Sequence, residues 1–342
     1  MSTAIKKEHK SNRPERGGVA TFVEAIRQGI WEEMERDSTV FVIGEDVGSY
    51  GGAFKVTDGL LDEFGEGRVI DTPISEAAIV GAACGAALMG MRPVAEFQFI
   101  DFISAGFDML TNYAAKSRYR WGGAIPAVFR GPCGSGVRSG PFHSINAEAF
   151  FLNTAGLKIV EPSTAYDAKG LIKAAIRDPD PVIFFEHKKL YRLPRLREEL
   201  PVDDYIVEIG KARVAREGRD LSIITFGAMV LTALDAALEL EKEGIDVEVI
   251  DLRTLAPMDK RAILATTKKT SKVMVLHEAS RTGGIGGEIA ATIGEEAFEW
   301  LDAPVIRVAS IDTPVPYSPP LEDYYMPQLR DVLDAARKLA AY

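Results

Sequence analysis

Glu76 closes the run VIDTPISE, where an aliphatic, strand-like stretch breaks at Pro73 and a helix begins. The segment that follows, Ala77 to Met91, is built almost wholly of Ala, Gly and aliphatic residues, which leaves this carboxylate at the mouth of an apolar helix. It can serve there in two ways. Pro73 and Ser75 suit a helix entrance, and an acid in the first turn gains from the helix dipole. Alternatively, a carboxylate held in a cleft of low dielectric hydrogen-bonds a bound heterocycle and controls its protonation. Three more residues have types that could work beside it. Gln98 is a polar side chain between apolar neighbours in EFQFIDF and needs a partner if buried. Phe102 is either a core aromatic or a stacking surface. His143, one of four histidines, lies in a Gly- and Ser-rich loop, where it is either solvated or placed to move a proton near neutral pH.

The elements that must position these residues alternate along the chain. A helical pattern from Thr21 gives way to the strand VFVIG at 40–44 and the loop EDVGSYGGAF; VIDTP with its helix, the strand PVAEF at 93–97 and a helix-like segment from Phe102 to Arg118 follow. Next come the strand PAVFRG at 126–131, the loop PCGSGVRSGPFHS, a helix over 147–154, the strand LKIVEP, a helix over 165–177 and the strand PVIFFE. Short aliphatic strands separated by helices predict a parallel sheet covered on both faces. Residues 1–18 are polar and read as a flexible arm, 19–190 as a first domain, and the charged, proline-containing 191–207 as a linker. Strands at 221–227, 247–254, 272–278 and 304–309 predict a second, smaller doubly wound domain over 208–342, closed by a helix at 327–341. The glycines of TGGIGGEIA fail the dinucleotide spacing, because Ile289 stands where the third glycine belongs, and read as backbone approached closely by another chain or domain.

Composition narrows the function. A formal charge of −10 excludes a nucleic-acid partner and suits a basic protein module instead. Cys84 and Cys133 form no CxxC pair, so neither a disulfide framework nor a cysteine zinc site is expected, and neither thiol is assigned a reactive role. The apolar stretch 77–91 is too short to span a bilayer and residues 1–18 lack the apolar core of a secretory signal, so no membrane association and a cytoplasmic location are expected.

VIDTPISE with its Ala/Gly helix, EFQFIDF, RGP, the loop ending in His143, VEVIDLRTLAPMD and the later HEA…TGG…E segment, in this order over about 320 residues, resemble the beta chains of thiamine-diphosphate-dependent 2-oxoacid dehydrogenases. FFEHKKLYR at 184–192 looks more like the branched-chain (2-oxoisovalerate) members than the pyruvate dehydrogenases. The resemblance implies two α/β domains, a transketolase-like pyrimidine-binding domain and a transketolase C-terminal-like domain. It implies oxidative decarboxylation of a 2-oxoacid with acyl transfer to a lipoyl group; a pyruvate or acetoin dehydrogenase beta chain, or a transketolase-like half enzyme on sugar phosphates, is the alternative.

By the same resemblance, Glu76 hydrogen-bonds the pyrimidine nitrogen of thiamine diphosphate, Phe102 stacks on that ring where some members carry tyrosine, Ile74 and Gln98 flank it, and Glu45 of the GED turn lies behind. His143 matches a histidine implicated in proton transfer to lipoyl sulfur, although Ile145 departs from the usual glutamine of that motif. Some relatives hold potassium; the matching positions are Ile125, Ala127, Val128, Ala175, Asp178 and Asp180. No GDG…NN motif for magnesium and diphosphate is present, so the resemblance implies that an alpha chain supplies that half, in an alpha2beta2 heterotetramer. Gly81 and Gly85 leave a smooth helix face that suits either a partner helix or burial within the chain. The acidic C-terminal domain, with Glu322 and Asp323 before its final helix, is by the same resemblance the candidate dock for the basic subunit-binding domain of a lipoyl acyltransferase core.

Overall fold

The computed structural model describes residues 13–342. Strand β1 (Gly18–Ala20) leads into α1 (Phe22–Arg36). A capping box fixes the start of α1: the Thr21 hydroxyl accepts from the Glu24 N–H, and the Glu24 carboxylate accepts from the Thr21 N–H at 2.8 Å. The chain then runs through β2 (Val40–Gly44), α2 (Leu60–Phe64), β3 (Val69–Asp71), α3 (Glu76–Leu88), β4 (Arg92–Glu96), α4 (Ser117–Trp121), β5 (Val128–Cys133), α5 (Glu148–Leu152), β6 (Lys158–Val160), α6 (Ala165–Arg177), β7 (Val182–His187) and β8 (Glu198–Leu200). The second half comprises β9 (Arg213–Arg216), β10 (Leu221–Thr225), α7 (Met229–Glu241), β11 (Val247–Asp251), β12 (Thr254–Ala256), α8 (Lys260–Thr270), β13 (Val273–Ser280), α9 (Ile285–Glu296), β14 (Ile306–Ser310), α10 (Pro319–Tyr325) and α11 (Leu329–Ala340).

Two sheets carry the molecule. The larger has the order β12-β6-β7-β5-β4-β2-β3, parallel except at β12; the smaller has the order β14-β13-β10-β11-β9, parallel except at β9. Every residue of β2, β5, β7, β10 and β11 is buried, as strands covered on both faces require. Alternate side chains feed different cores. Val40, Val42, Val94, Val128 and Phe184 pack under α1 and α6, whereas Phe41, Ile43, Phe129 and Phe185 pack on the α3 side. That second cluster continues into Ile224, Phe226, Ile250 and Leu252, so one apolar core joins the two sheets.

Several elements differ from expectation. VEVIDLRT does not stay in one strand. It breaks at Arg253, whose φ is +55°, and Thr254–Ala256 crosses to pair antiparallel with β6 of the other sheet. Arg253 is pinned there by Asp167 at 2.8 Å and by the carbonyl of Lys211 at 2.9 Å. Segment 191–207 is no free tether: Tyr191 and Leu200 are 2% exposed, and β8 pairs with β1. Residues 13–18 of the expected arm lie against α1 through Arg16 to Glu35 at 2.6 Å and Gln28 to the Gly17 carbonyl; residues 1–12 lie outside the described residues. The span expected as a helix from Phe102 is a tight turn of helix over Ile100–Gly106, a widened turn over Met109–Ala114, and then α4. Finally, α3 buries only the stripe Ile79, Val80, Ala83, Cys84 and Ala87, while Ala77, Ala78, Ala82 and Gly85 face outward.

Candidate active site

In a parallel sheet, loops that follow the strands emerge along one edge, where ligand crevices form. Glu45 follows β2, Glu76 follows β3 through the TPIS turn, Gln98 follows β4, and the loop with His143 follows β5. These are therefore neighbours by topology. Glu45 is 6% exposed, and its Oε1 is buried without a hydrogen-bond partner. Burial, with the charges of Glu76 and Asp46, raises its pKa, and only the Ser75 N–H opposes this. Glu76 is the first residue of α3 and partly exposed. The Ser75 side chain makes no capping bond, so that part of the helix-entrance reading does not hold. Gly106 keeps the turn Ile100–Gly106 tight against α3: a Cβ there would meet Val80 Cγ2 at 2.6 Å and lie 3.7 Å from the Glu76 carbonyl.

Gln98 finds its partner in Asp46, whose carboxylate accepts from Nε2 at 2.9 Å. The His143 ring stands edge-on to Phe99, with centroids 4.4 Å apart, and to Phe102 at 5.7 Å. Phe102 is 36% exposed and Ile74 82% exposed. Apolar side chains so exposed along the crevice describe an open surface, not a sealed pocket.

Side chains that sequence reasoning missed hold this arrangement. Asp101 Oδ1 accepts from the N–H groups of Ser144 and Ile145, both at 3.1 Å, and so ties the His143 loop to the turn that carries Phe102. Burial raises the Asp101 pKa, against those hydrogen bonds and the charge of Lys188. Beneath the site, fully buried Arg130 is held between Glu96 and Glu186, and the Tyr191 hydroxyl donates to Glu186 at 2.7 Å. From the smaller sheet, Glu278 faces His187 Nε2 at 2.9 Å and accepts from the Ser135 N–H at 2.6 Å and from Asn146 at 2.8 Å. Burial alone would raise the Glu278 pKa, but His187 and these donors bring it down to about 2. RGP and FFEH in the sequence contain Arg130, Glu186 and His187, yet nothing local signals that these residues pair.

The residues fit an aminopyrimidine ring better than they fit potassium. An orphaned, buried Glu45 oxygen of raised pKa beside Glu76 suits a ring bearing N–H donors, with Phe102 as its apolar wall, so these residues fit an aminopyrimidine. The potassium set fits less well. Lys158 Nζ lies 2.6 and 2.7 Å from the two Asp178 oxygens, and Asp180 pairs with Arg118 and lies 3.7 Å from Lys158. A further cation on those carboxylates would meet the lysine. The carbonyls of Ile125, Ala127 and Ala175 each accept one backbone N–H and keep a second lone pair, so the misfit lies at the two carboxylates. Val128 lies on β5, paired with β4 and β7. The docking expectation also needs correction at Glu322. Its side chain is fully buried and held by Gly136 and Arg138, and only Asp323 reaches solvent.

The two sheets and this crevice define a transketolase-like pair of α/β domains. Residues 19–194 match the transketolase pyrimidine-binding domain model, and residues 210–332 match the transketolase C-terminal domain model. The chain is similar to a solved structure described as a split-gene transketolase, inactive beta4 tetramer, with TM-score 0.77 and 23% identity over 95% of this chain and 99% of that one; this bears on fold alone. It is 51% identical over 329 residues to the 2-oxoisovalerate dehydrogenase subunit beta of Bacillus subtilis (strain 168), covering 95% of this chain and 99% of that one. It is 47% identical over 324 residues to the pyruvate dehydrogenase E1 component subunit beta of the same organism, covering 94% and 99%. The chain belongs to the beta subunits of the thiamine-diphosphate-dependent 2-oxoacid dehydrogenases. It is thus the beta part of an E1 component, an oxidoreductase subunit. Among the described residues no helix is long and apolar enough to cross a membrane.

Proposed function

We propose that this chain forms the pyrimidine half of the active site of a branched-chain 2-oxoacid dehydrogenase, completed by an alpha subunit in an alpha2beta2 heterotetramer that also supplies magnesium. The observation that carries this reading is the buried, unsatisfied Glu45 oxygen beside Glu76 on an open surface at the strand ends. When bound, thiamine diphosphate supplies the electron sink for decarboxylation. Glu76 would accept a hydrogen bond from the ring nitrogen and hold the proton there, with Glu45 as a second carboxylate behind it. Phe102 and Ile74 would shield the ring from water, and Gln98, anchored on Asp46, would stand beside it.

Overall, the bond to the carboxylate breaks with release of CO2 and its electron pair reduces the lipoyl disulfide. The acyl group bonds to one sulfur, and one proton from solution ends on the other. The contacts of His143 with Phe99 and with Phe102, the proposed wall of the ring site, support it as the residue that delivers that proton. The branched-chain preference is supported by FFEHKKLYR and by the 51% identical relative named for 2-oxoisovalerate. A lipoyl acyltransferase core remains the proposed acceptor, with its docking surface not including Glu322.

The test is Glu76→Ala in the enzyme assembled with its alpha chain, assayed with 2-oxoisovalerate and with pyruvate. Ferricyanide-coupled decarboxylation should fall by roughly a hundredfold or more while assembly persists. Wild-type-like turnover would refute the site, and a higher kcat/KM for pyruvate would refute the substrate alone.

A further inference from the structure

The loop from Gly134 to Ile145 that carries His143 is held mainly by the other domain. Glu322, on α10, is fully buried, and its carboxylate accepts from the Gly136 N–H at 2.9 Å, the Arg138 N–H at 3.2 Å and Arg138 Nη1 at 2.8 Å. All of these donors belong to the loop. A buried carboxylate raises the free energy of a fold unless it is well bonded, so this one specifies the conformation of what it binds. The loop is shaped to meet it. Arg138 is a non-glycine residue in the left-handed region at φ +63°, and Gly136 lies at +84°.

Five residues before Glu322, Tyr317 makes a second contact from the same segment. Gly140, at φ +70°, lies so close to the Tyr317 ring that a Cβ would fall 2.1 Å from Cε1. The Gly140 carbonyl in turn accepts from the His143 N–H at 3.4 Å. At the far end, Asp101 receives Ser144 and Ile145. His143 thus sits between an anchor on its own domain and a clamp from the C-terminal domain.

We propose that Glu322 is a positioning residue for His143, through which the C-terminal domain sets the histidine's place at the acyl-transfer step. The proposal rests on the role given above to His143. Decarboxylation draws on Glu76, Glu45 and Phe102, whose turn is held to the far end of the loop by Asp101 and not by Glu322; proton delivery at the lipoyl sulfur needs His143 itself in place, because proton transfer needs hydrogen-bond reach.

The experiment uses the assembled alpha–beta enzyme and two assays: ferricyanide-coupled decarboxylation, and reductive acylation of a free lipoyl domain. Glu322→Ala should lower kcat/KM for the lipoyl domain by roughly tenfold or more while decarboxylation stays within about threefold, since a misplacement near an ångström is costly only for the step that uses the group. Glu322→Gln, which keeps one acceptor oxygen, should recover part of the loss. In a His143→Ala background, adding Glu322→Ala should cost nothing further, because both act on one step. Equal losses in the two assays, or additive losses in the double variant, would overturn the clamp. If Glu322→Ala does not assemble, Arg138→Met should give the same selective loss, and its absence would overturn the proposal equally. A His143→Ala enzyme with undiminished acyl transfer would overturn the role of the histidine and the clamp's purpose with it. An impaired His143→Ala enzyme beside an unimpaired Glu322→Ala enzyme would overturn the clamp alone.

Discussion

Buried carboxylates in this molecule fall into two kinds. Glu278 and Glu322 have their donors inside the chain, whereas Glu45 and Glu148 keep oxygens that nothing among the described residues satisfies. For Glu45 the missing donor has a candidate at the crevice. Glu148, on α5 under the domain junction, has both oxygens unpartnered, and burial, aided by the Glu278 charge, pushes its pKa up to about 7. A carboxyl raised from the ordinary 4.5 to about 7 in the folded state favours folding below pH 4.5 and loses that contribution as pH rises through 7. Glu148→Gln mimics the protonated form. It should be nearly neutral at pH 4 and clearly stabilising at pH 8, read from urea unfolding at both pH values. Equal effects at the two pH values would contradict the burial argument. Legibility at this scale followed sequence distance. Glu76, Phe102 and His143 stand out within short runs. Asp101, Glu278 and Glu322 meet their partners 43, 143 and 184 residues away, so Glu322 read as a surface acid when it is an internal one.

Strands β2, β4, β5, β7, β10, β11 and β13 were legible because each is a short, mainly apolar run whose burial is nearly complete, and α1 because Thr21 and Glu24 form its cap from local residues; β1, β8 and β9, which bury little, were not. The break of VEVIDLRT was not, since Arg253 is turned by Asp167 and Lys211 and no residue within the run signals it. The loop after β5 shows the same dependence on distant contacts. Gly134 has φ +87°, and a Cβ on it would fall 2.1 Å from His187 Nε2. Gly134→Ala must strain the backbone and push His187 off Glu278. A loss of roughly 2 to 4 kcal/mol is expected, combining left-handed strain with a disturbed buried pair, and thermal unfolding should show it. An unchanged melting temperature would mean that the loop relaxes without touching His187.

As a whole, the chain is two sheets joined by one apolar core, by β12 crossing between them and by Glu278 on His187. What it leaves uncovered is as informative. Ile74 is 82% exposed and Met89 85% exposed at the two ends of α3, and between them Gly85 has nothing within 4 Å of its missing Cβ. The sequence left open whether this smooth helix is covered from within; in the fold, its outer face meets no other part of the described chain at Gly85. Gly85→Leu should therefore leave the isolated chain as stable as before, or more so by up to about 1 kcal/mol from helix propensity, yet weaken assembly with the alpha chain in analytical ultracentrifugation. Undisturbed assembly would place the partner elsewhere. The most direct test of an incomplete site beside Glu76 is calorimetric titration of thiamine diphosphate with magnesium into the chain alone and into the alpha–beta assembly. No saturable binding to the chain alone, with binding by the assembly that Glu76→Ala weakens, is the expected result; tight binding by the isolated chain would contradict it.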